Sequence, residues 1–235
     1  MRNFAHRGLW RWPAEQNTLA ALGAALDLGL DVETDIRWWQ GEFIIKHDYP
    51  VRGEKLLKLN EVVELLSHYK TQQAALHFKY DDWKDEKSLG ITEVLQPVKD
   101  QVFLFDMSLD YCRQVKEKDL GIKVGVSVGD RHYHDAFAGL EQALAADIDI
   151  VWADEWRSLY TRELVEVCHK AGKLVYCISP DLATAVGHPR AEVGYDKTWR
   201  DLFCWGADGI CTDRSLELKT LCRLWYQRRA GADAL

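Results

Sequence analysis

Short apolar runs alternate with amphipathic stretches along the whole chain. Phe4-Ala5-His6-Arg7 predicts a strand that runs into a loop. Asn17-Thr18 caps a helical run from Leu19 to Leu28, and Gly29 ends it. Leu30 to Trp38 reads as a strand, Gly41 as a turn, and Phe43 to His47 as the next strand. Leu59 to Tyr69 has the period of an amphipathic helix, with Asn60 as its cap. Further strands are predicted at Ala74–Lys79, Val102–Asp106, Ile122–Val128, Ile148–Trp152, Lys173–Ile178 and Asp208–Cys211. Helices are predicted up to Lys118, over residues 135–146, from the Thr161 cap to Gly172, and from Ser215 onward.

Counting strand-then-helix units gives eight. Apolar strands of the parallel type joined by helical crossovers predict an α/β fold, a (β/α)8 TIM barrel. A single domain over residues 1–235 accommodates it, with little or no inserted cap. An open doubly wound sheet would favour a GxGxxG turn after the first strand, and the chain carries none.

Composition narrows the function. Of 235 residues, 47% are hydrophobic and 29% charged, which supports a sizeable core and excludes a disordered chain. The net charge of −7 argues against non-specific nucleic-acid binding, which needs Lys and Arg against phosphates. No apolar run is long enough for a transmembrane helix, and the N-terminus has no signal-peptide core. The six cysteines show no CxxC pairing or metal spacing, so they read as reduced, mostly buried thiols of a cytoplasmic protein.

Barrel chemistry gathers at the C-terminal strand ends. There stand His6-Arg7, Glu33 with Asp35, His47-Asp48, His77 with Lys79, Asp106, Asp154-Glu155 and Asp213. Glu33 and Asp35 lie two apart on one strand and therefore face the same side. Two such carboxylates repel each other unless a cation or a salt bridge, to Arg37 or Lys79, relieves them. His6 and His47 offer a general acid and a general base near neutral pH, or are satisfied core histidines. Arg7 and Lys79 either hold an anionic phosphate or neutralise the acidic pair. Together these groups suit a phosphodiester, whose displacement needs charge neutralisation and a protonated leaving group.

Four segments resemble one family. Ala5-His6-Arg7-Gly8, Asn17-Thr18-Leu19-Ala20-Ala21, Glu33-x-Asp35 and His47-Asp48 resemble the glycerophosphodiester phosphodiesterases. Gly206-Ala207-Asp208-Gly209-Ile210-Cys211-Thr212-Asp213-Arg214 is similar to that family's C-terminal motif. The resemblance implies a barrel related to phosphatidylinositol phospholipase C. It also implies one divalent metal ion, Mg or Ca, and a small glycerophosphodiester split into an alcohol and sn-glycerol 3-phosphate. It casts His6 and His47 as the acid/base pair, Glu33 and Asp35 as metal ligands, and Arg7 and Lys79 as phosphate holders.

The chain departs from the pattern in three places. His77 stands where the family has an acidic ligand, so either His77 binds the metal, favouring Mn or Zn, or another acid completes the site. Asp106 is the first such candidate and Asp154 the second. The glutamate of the family's PENT motif is replaced within Pro13-Ala14-Glu15-Gln16-Asn17-Thr18, leaving Glu15 or Gln16 to serve. The insertion after the His47-Asp48 strand is nearly absent, which opens the mouth to a bulky, polymeric or lipid-linked diester. The replaced acids also leave room for a non-catalytic relative that binds a phosphorylated polyol. A glycoside hydrolase fits less well, because Glu33 and Asp35 stand side by side rather than flanking a bond. Trp10, Trp12, Trp38, Trp39, Trp152 and Trp156 fall at or just after strand ends, where they stack on substrate or pack the loops.

Overall fold

The computed structural model describes residues 1–79, 82–118, 120–129, 139–153, 160–182, 190 and 193–232. Ten strands form one sheet. They are β1 (Arg2–His6), β2 (Asp31–Trp39), β3 (Glu42–Ile45), β4 (Leu57–Lys58), β5 (Ala74–Phe78), β6 (Val102–Phe105), β7 (Lys123–Val128), β8 (Ile150–Ala153), β9 (Leu174–Ile178) and β10 (Gly209–Thr212). Eight of them, β1, β2 and β5 to β10, pair in parallel, and β10 returns to β1 to close the ring. The helices are α1 (Leu19–Asp27), α2 (Leu59–Ser67), α3 (Ile91–Leu95), α4 (Leu109–Glu117), α5 (Leu140–Ala145), α6 (Arg162–Lys170), α7 (Tyr195–Trp205) and α8 (Ser215–Ala232). The fold is thus the eight-stranded α/β barrel that the alternating pattern predicts.

Period-two patterning builds two cores. Val32, Ile36, Leu76, Leu104, Val124, Val126, Val151 and Ile210 point outward and share one buried cluster with Leu22, Leu26, Val62 and Leu66 of the helices. The alternate positions Phe4, Ala75, Phe103, Phe105, Ile150, Trp152, Tyr176 and Cys211 fill the barrel itself. Phe105 and Trp152 stack with centroids 4.2 Å apart, and Phe4 meets Tyr176 at 5.0 Å. Such ring pairs add about 0.5–1.5 kcal/mol each beyond the area they bury. This aromatic plug forms the floor beneath the barrel mouth. Trp152, expected at the mouth, belongs to the plug and is 1% exposed.

Two of the caps read from the sequence form and one does not. Thr18 and Thr161 accept from Ala21 N–H and Leu164 N–H, as predicted. Helix α2 instead begins after Lys58, whose backbone N–H donates to Glu61 at 2.9 Å, so Asn60 lies inside the helix. The aliphatic Leu59 at the first helical position buries at once, which places the boundary earlier than a polar cap would. Residues 82–101 hold 3-10 turns around the short helix α3, with no long apolar period to announce them.

Strands β3 and β4 lie outside the ring. β3 runs antiparallel to β2, with Ile36 opposite Ile45 and Trp39 opposite Glu42. The joining residues Gln40 and Gly41 both have positive φ, 51° and 86°, the signature of a tight hairpin turn. This hairpin carries His47 to the mouth. The sequence motif Gly8 is equally demanding. Its φ is 86°, and a Cβ there would stand 2.5 Å from the Ala21 carbonyl carbon.

Candidate active site

Strand register explains how the site assembles. His6 pairs with Glu33 across β1 and β2, Asp35 with His77 across β2 and β5, and His77 with Phe105 across β5 and β6. Glu33 and Asp35 are 2% and 0% exposed, on the inward face that their spacing predicts. Glu33, Asp35 and His77 each offer one ligand atom, and these three atoms lie within 4.8 Å of one another. The imidazole nitrogen is 3.7 Å from Glu33 and 3.4 Å from Asp35, both beyond good hydrogen-bond distance.

A divalent cation fits this donor set. Asp35 Oδ1 is buried and has no hydrogen-bond partner. A buried orphan carboxylate oxygen is costly unless a charge sits beside it. Two donors held about 2.1 Å from one ion stand roughly 3–4 Å apart, as these do. The residues therefore suit a divalent metal ion.

Cations crowd the same carboxylates. Arg7 Nε lies 2.9 Å from Asp35 Oδ2, and Lys79 Nζ lies 3.5 Å from Asp35 Oδ1. Burial pushes the Asp35 carboxyl up, but Lys79, Arg7 and His77 outweigh it and hold Asp35 far below the usual carboxylate range. Arg7 reaches this place through a left-handed backbone, φ 58°, with its N–H donating to the Glu33 carbonyl at 2.9 Å. Arg37, the other cation offered as a partner to the acidic pair, is held by Asp82 at 3.0 and 3.1 Å.

Both histidines are backed by aspartates. His6 Nδ1 lies 2.7 Å from Asp213 Oδ1, and its Nε2 faces Glu33 at 3.9 Å. Asp181 accepts from the Thr212 hydroxyl at 2.8 Å and the Asp213 N–H at 3.2 Å, so it anchors the turn that presents Asp213. His47 Nδ1 lies 2.7 Å from Asp48 Oδ1. Burial, with Lys79 and Arg7, pushes the His47 imidazole below its ordinary value, so it rests neutral at pH 7. His47 and Arg7 both line a cavity of about 680 Å³, bounded also by Gln16, Asn17, Lys55 and Glu61.

The loop after β1 settles the roles of Glu15 and Gln16. Glu15 turns away and accepts the N–H groups of Arg11 and Trp12 at 2.7 and 3.3 Å. Gln16 faces inward and accepts from Arg7 Nη1 at 3.0 Å. Asn17, read as part of the helix cap, does more. Its amide donates to Asp35 Oδ2 at 2.8 Å and its oxygen accepts from Thr34 at 2.8 Å. In sequence it was visible as part of the cap and of the Asn17-Thr18-Leu19-Ala20-Ala21 motif, without this role.

Asp106 joins the site behind His77, with Oδ2 at 2.6 Å from His77 Nε2. Burial and Lys79 push the His77 imidazole down, but Asp106 and Glu33 outweigh them and raise it to about 9. Asp154, Glu155 and Trp156 lie outside the described residues. Trp10 and Trp39 pack loops, the first donating to the His6 carbonyl at 3.0 Å, the second 5.9 Å from the Tyr49 ring.

No protein-family model matches the chain, and no curated protein matches it. Solved structures do. A glycerophosphodiester phosphodiesterase from Parabacteroides distasonis superposes with TM-score 0.73 at 15% identity, covering 96% of this chain and 100% of its own. A second such enzyme from the same organism gives TM-score 0.69 at 15% identity, with 95% and 87% covered. Tryptophan synthase from M. tuberculosis, at TM-score 0.53 and 15% identity, covers 95% of this chain and 89% of its own. The fold is therefore shared with the phosphodiesterases over nearly the whole chain, more closely than with that other enzyme. No helix among the described residues is long and apolar enough to cross a membrane.

Proposed function

We propose that this chain is a metal-dependent phosphodiesterase that hydrolyses a glycerophosphodiester to an alcohol and sn-glycerol 3-phosphate. One observation carries the reading. Glu33, Asp35 and His77 converge around the orphan oxygen of Asp35, between Arg7 and Lys79, at the mouth of a barrel that also presents His6 and His47. The shared fold of the phosphodiesterase structures agrees with it.

Glu33, Asp35 and His77 would hold the cation. When bound, a divalent ion polarises a phosphoryl group and offsets its developing charge. Arg7 and Lys79 neutralise the diester and orient it, Arg7 being itself aimed by Gln16 and Asp35. One histidine takes the proton of the attacking hydroxyl, either water or the substrate's own glycerol hydroxyl. The other returns a proton to the leaving alkoxide. Asp213 and Asp48 fix the two rings by holding each Nδ1. Glycoside hydrolysis fits poorly, since Glu33 and Asp35 are tied into one cation cluster on one strand. All six cysteines are free, which supports a reducing, cytoplasmic place of work.

The test is release of sn-glycerol 3-phosphate from a panel of glycerophosphodiesters after EDTA, then with Mg, Ca, Mn or Zn restored. Metal-dependent turnover is expected, with His6→Ala and His47→Ala each about 10²–10⁴-fold slower. Turnover of a polymeric or lipid-linked diester alone would move the substrate while keeping the chemistry. Binding of a phosphorylated polyol without turnover under any metal would overturn catalysis and leave a binding protein.

A further inference from the structure

We propose that Asp106 is a positioning residue that makes His77 a nitrogen ligand, and so tunes the site for a first-row transition ion over magnesium or calcium. The proposal rests on the metal-dependent reading above. It concerns a carboxylate that lies outside the three-residue donor set.

Asp106 follows the last residue of β6, one strand away from His77. Its backbone takes the left-handed conformation, φ 72°, which Asp tolerates better than most residues. That turn swings the carboxylate back over the mouth to within 2.6 Å of His77 Nε2. Asp106 is 7% exposed, so this bond is shielded from water.

The chemistry follows from the two ring nitrogens. An anion at Nε2 keeps a proton there, which leaves the Nδ1 lone pair as the donor directed between Glu33 and Asp35. Phe105 lies under the ring, centroids 4.7 Å apart and planes 26° from parallel, and so resists a flip that would exchange the nitrogens. A carboxylate behind a ligating histidine also raises its basicity toward a metal. Magnesium and calcium prefer oxygen donors, whereas imidazole suits Fe, Ni, Cu and Zn; Mn²⁺, lowest in the first-row affinity order, is the most stringent first-row probe of the nitrogen donor. With an imidazole replacing one carboxylate, the set carries one negative charge less and one softer donor more.

The experiment is calorimetric titration of the EDTA-stripped full chain with Mn²⁺ alone and with Mg²⁺ alone, with pulsed electron paramagnetic resonance on the Mn²⁺ form. Wild type is expected to bind Mn²⁺ at least about tenfold tighter than Mg²⁺ and to show coupling to a directly bound nitrogen. Asp106→Ala should lose about 10–100-fold in Mn²⁺ affinity and weaken or abolish that coupling. Asp106→Asn keeps a neutral acceptor and is expected to fall between the two, which covers the case in which the alanine variant misfolds. His77→Glu should abolish the coupling and bring Mn²⁺ and Mg²⁺ affinities closer together. Tight Mn²⁺ binding without nitrogen coupling in wild type, or unchanged Mn²⁺ affinity in both Asp106 variants, overturns the proposal and leaves metal-dependent hydrolysis intact. Failure of every ion to bind wild type, with turnover surviving EDTA, overturns both.

Discussion

Asp82→Ala should destabilise this protein far more than removal of an ordinary surface carboxylate. Asp82 accepts both Nε and Nη2 of Arg37 at 3.0 and 3.1 Å, and the two side chains are 10% and 0% exposed. Arg37 also donates to the His47 carbonyl at 3.2 Å, and its guanidinium carbon sits 3.6 Å from the Tyr49 ring centroid. Truncating Asp82 removes the bidentate carboxylate that pairs with this buried guanidinium, and breaking such a buried pair costs about 3–5 kcal/mol. At about 2–4 °C per kcal/mol for a chain of this size, the melting temperature should fall by roughly 6–20 °C. The double variant Arg37→Met, Asp82→Leu removes both charges and should recover part of that loss. It should still turn over slowly, because the His47 carbonyl has lost its donor. Calorimetric melts and urea midpoints of both variants read the stability, and steady-state kinetics reads the His47 effect. The reasoning is refuted if Asp82→Ala melts within the roughly 2 °C that half a kcal/mol to 1 kcal/mol is worth. It also fails if the double variant is no more stable than Asp82→Ala.

Three further outcomes are expected. Gln16→Ala, which takes the amide acceptor away from the charged Arg7 guanidinium, should raise KM for the diester about tenfold or more, while Glu15→Ala leaves KM near wild type; equal effects would contradict the assignment of the loop. His77 has a folded-state pKa raised from 6.5 to about 9, so its stabilisation is complete below pH 6.5 and is lost as pH rises through 9. EDTA-treated protein should therefore lose up to roughly 3 kcal/mol between pH 6.5 and 9.5, and His77→Gln should flatten that slope in denaturant titrations. Gly8→Ala should cost about 3 kcal/mol, since the Cβ meets the Ala21 and Leu22 backbone at 2.5–2.7 Å and the positive φ adds strain; an unchanged urea midpoint would show that the turn yields.

Much of the barrel was legible because its signals are local. Each strand is short and apolar with turn residues at its ends, and the period-two face of β2 fixed Glu33 and Asp35 on one side. The acids at the strand ends were visible, but which group each one backs depends on contacts between distant segments. Asp106 behind His77 follows from the pairing of β5 with β6, and Asp213 behind His6 from closure of β10 on β1. Asn17 looked like a cap because its neighbour Thr18 is one; its left-handed backbone, φ 57°, sends the amide to Asp35 instead. The choice between Glu15 and Gln16 likewise turns on loop geometry that spacing does not encode. Trp152 was misplaced because a strand's last turn and its interior look alike in sequence. Only the packed plug tells them apart.

The two histidines stand on supports of unequal stiffness. His6 ends a strand bonded on both sides within the closed ring, so moving it means opening the barrel. His47 follows a hairpin that leaves the ring after Trp39, has the two-residue strand β4 as its outer neighbour, and is tied back to the ring by Arg37 at the His47 carbonyl. Local opening in proteins spans free energies from near zero up to that of global unfolding, and edge elements lie at the low end. If the two histidines act as the proposed acid/base pair, displacing His47 should therefore cost less than displacing His6 and leave the barrel whole. The proposed activity should then be lost on heating before the ring itself melts, so the working life of such a site would be written in its least-supported hairpin and not in its barrel.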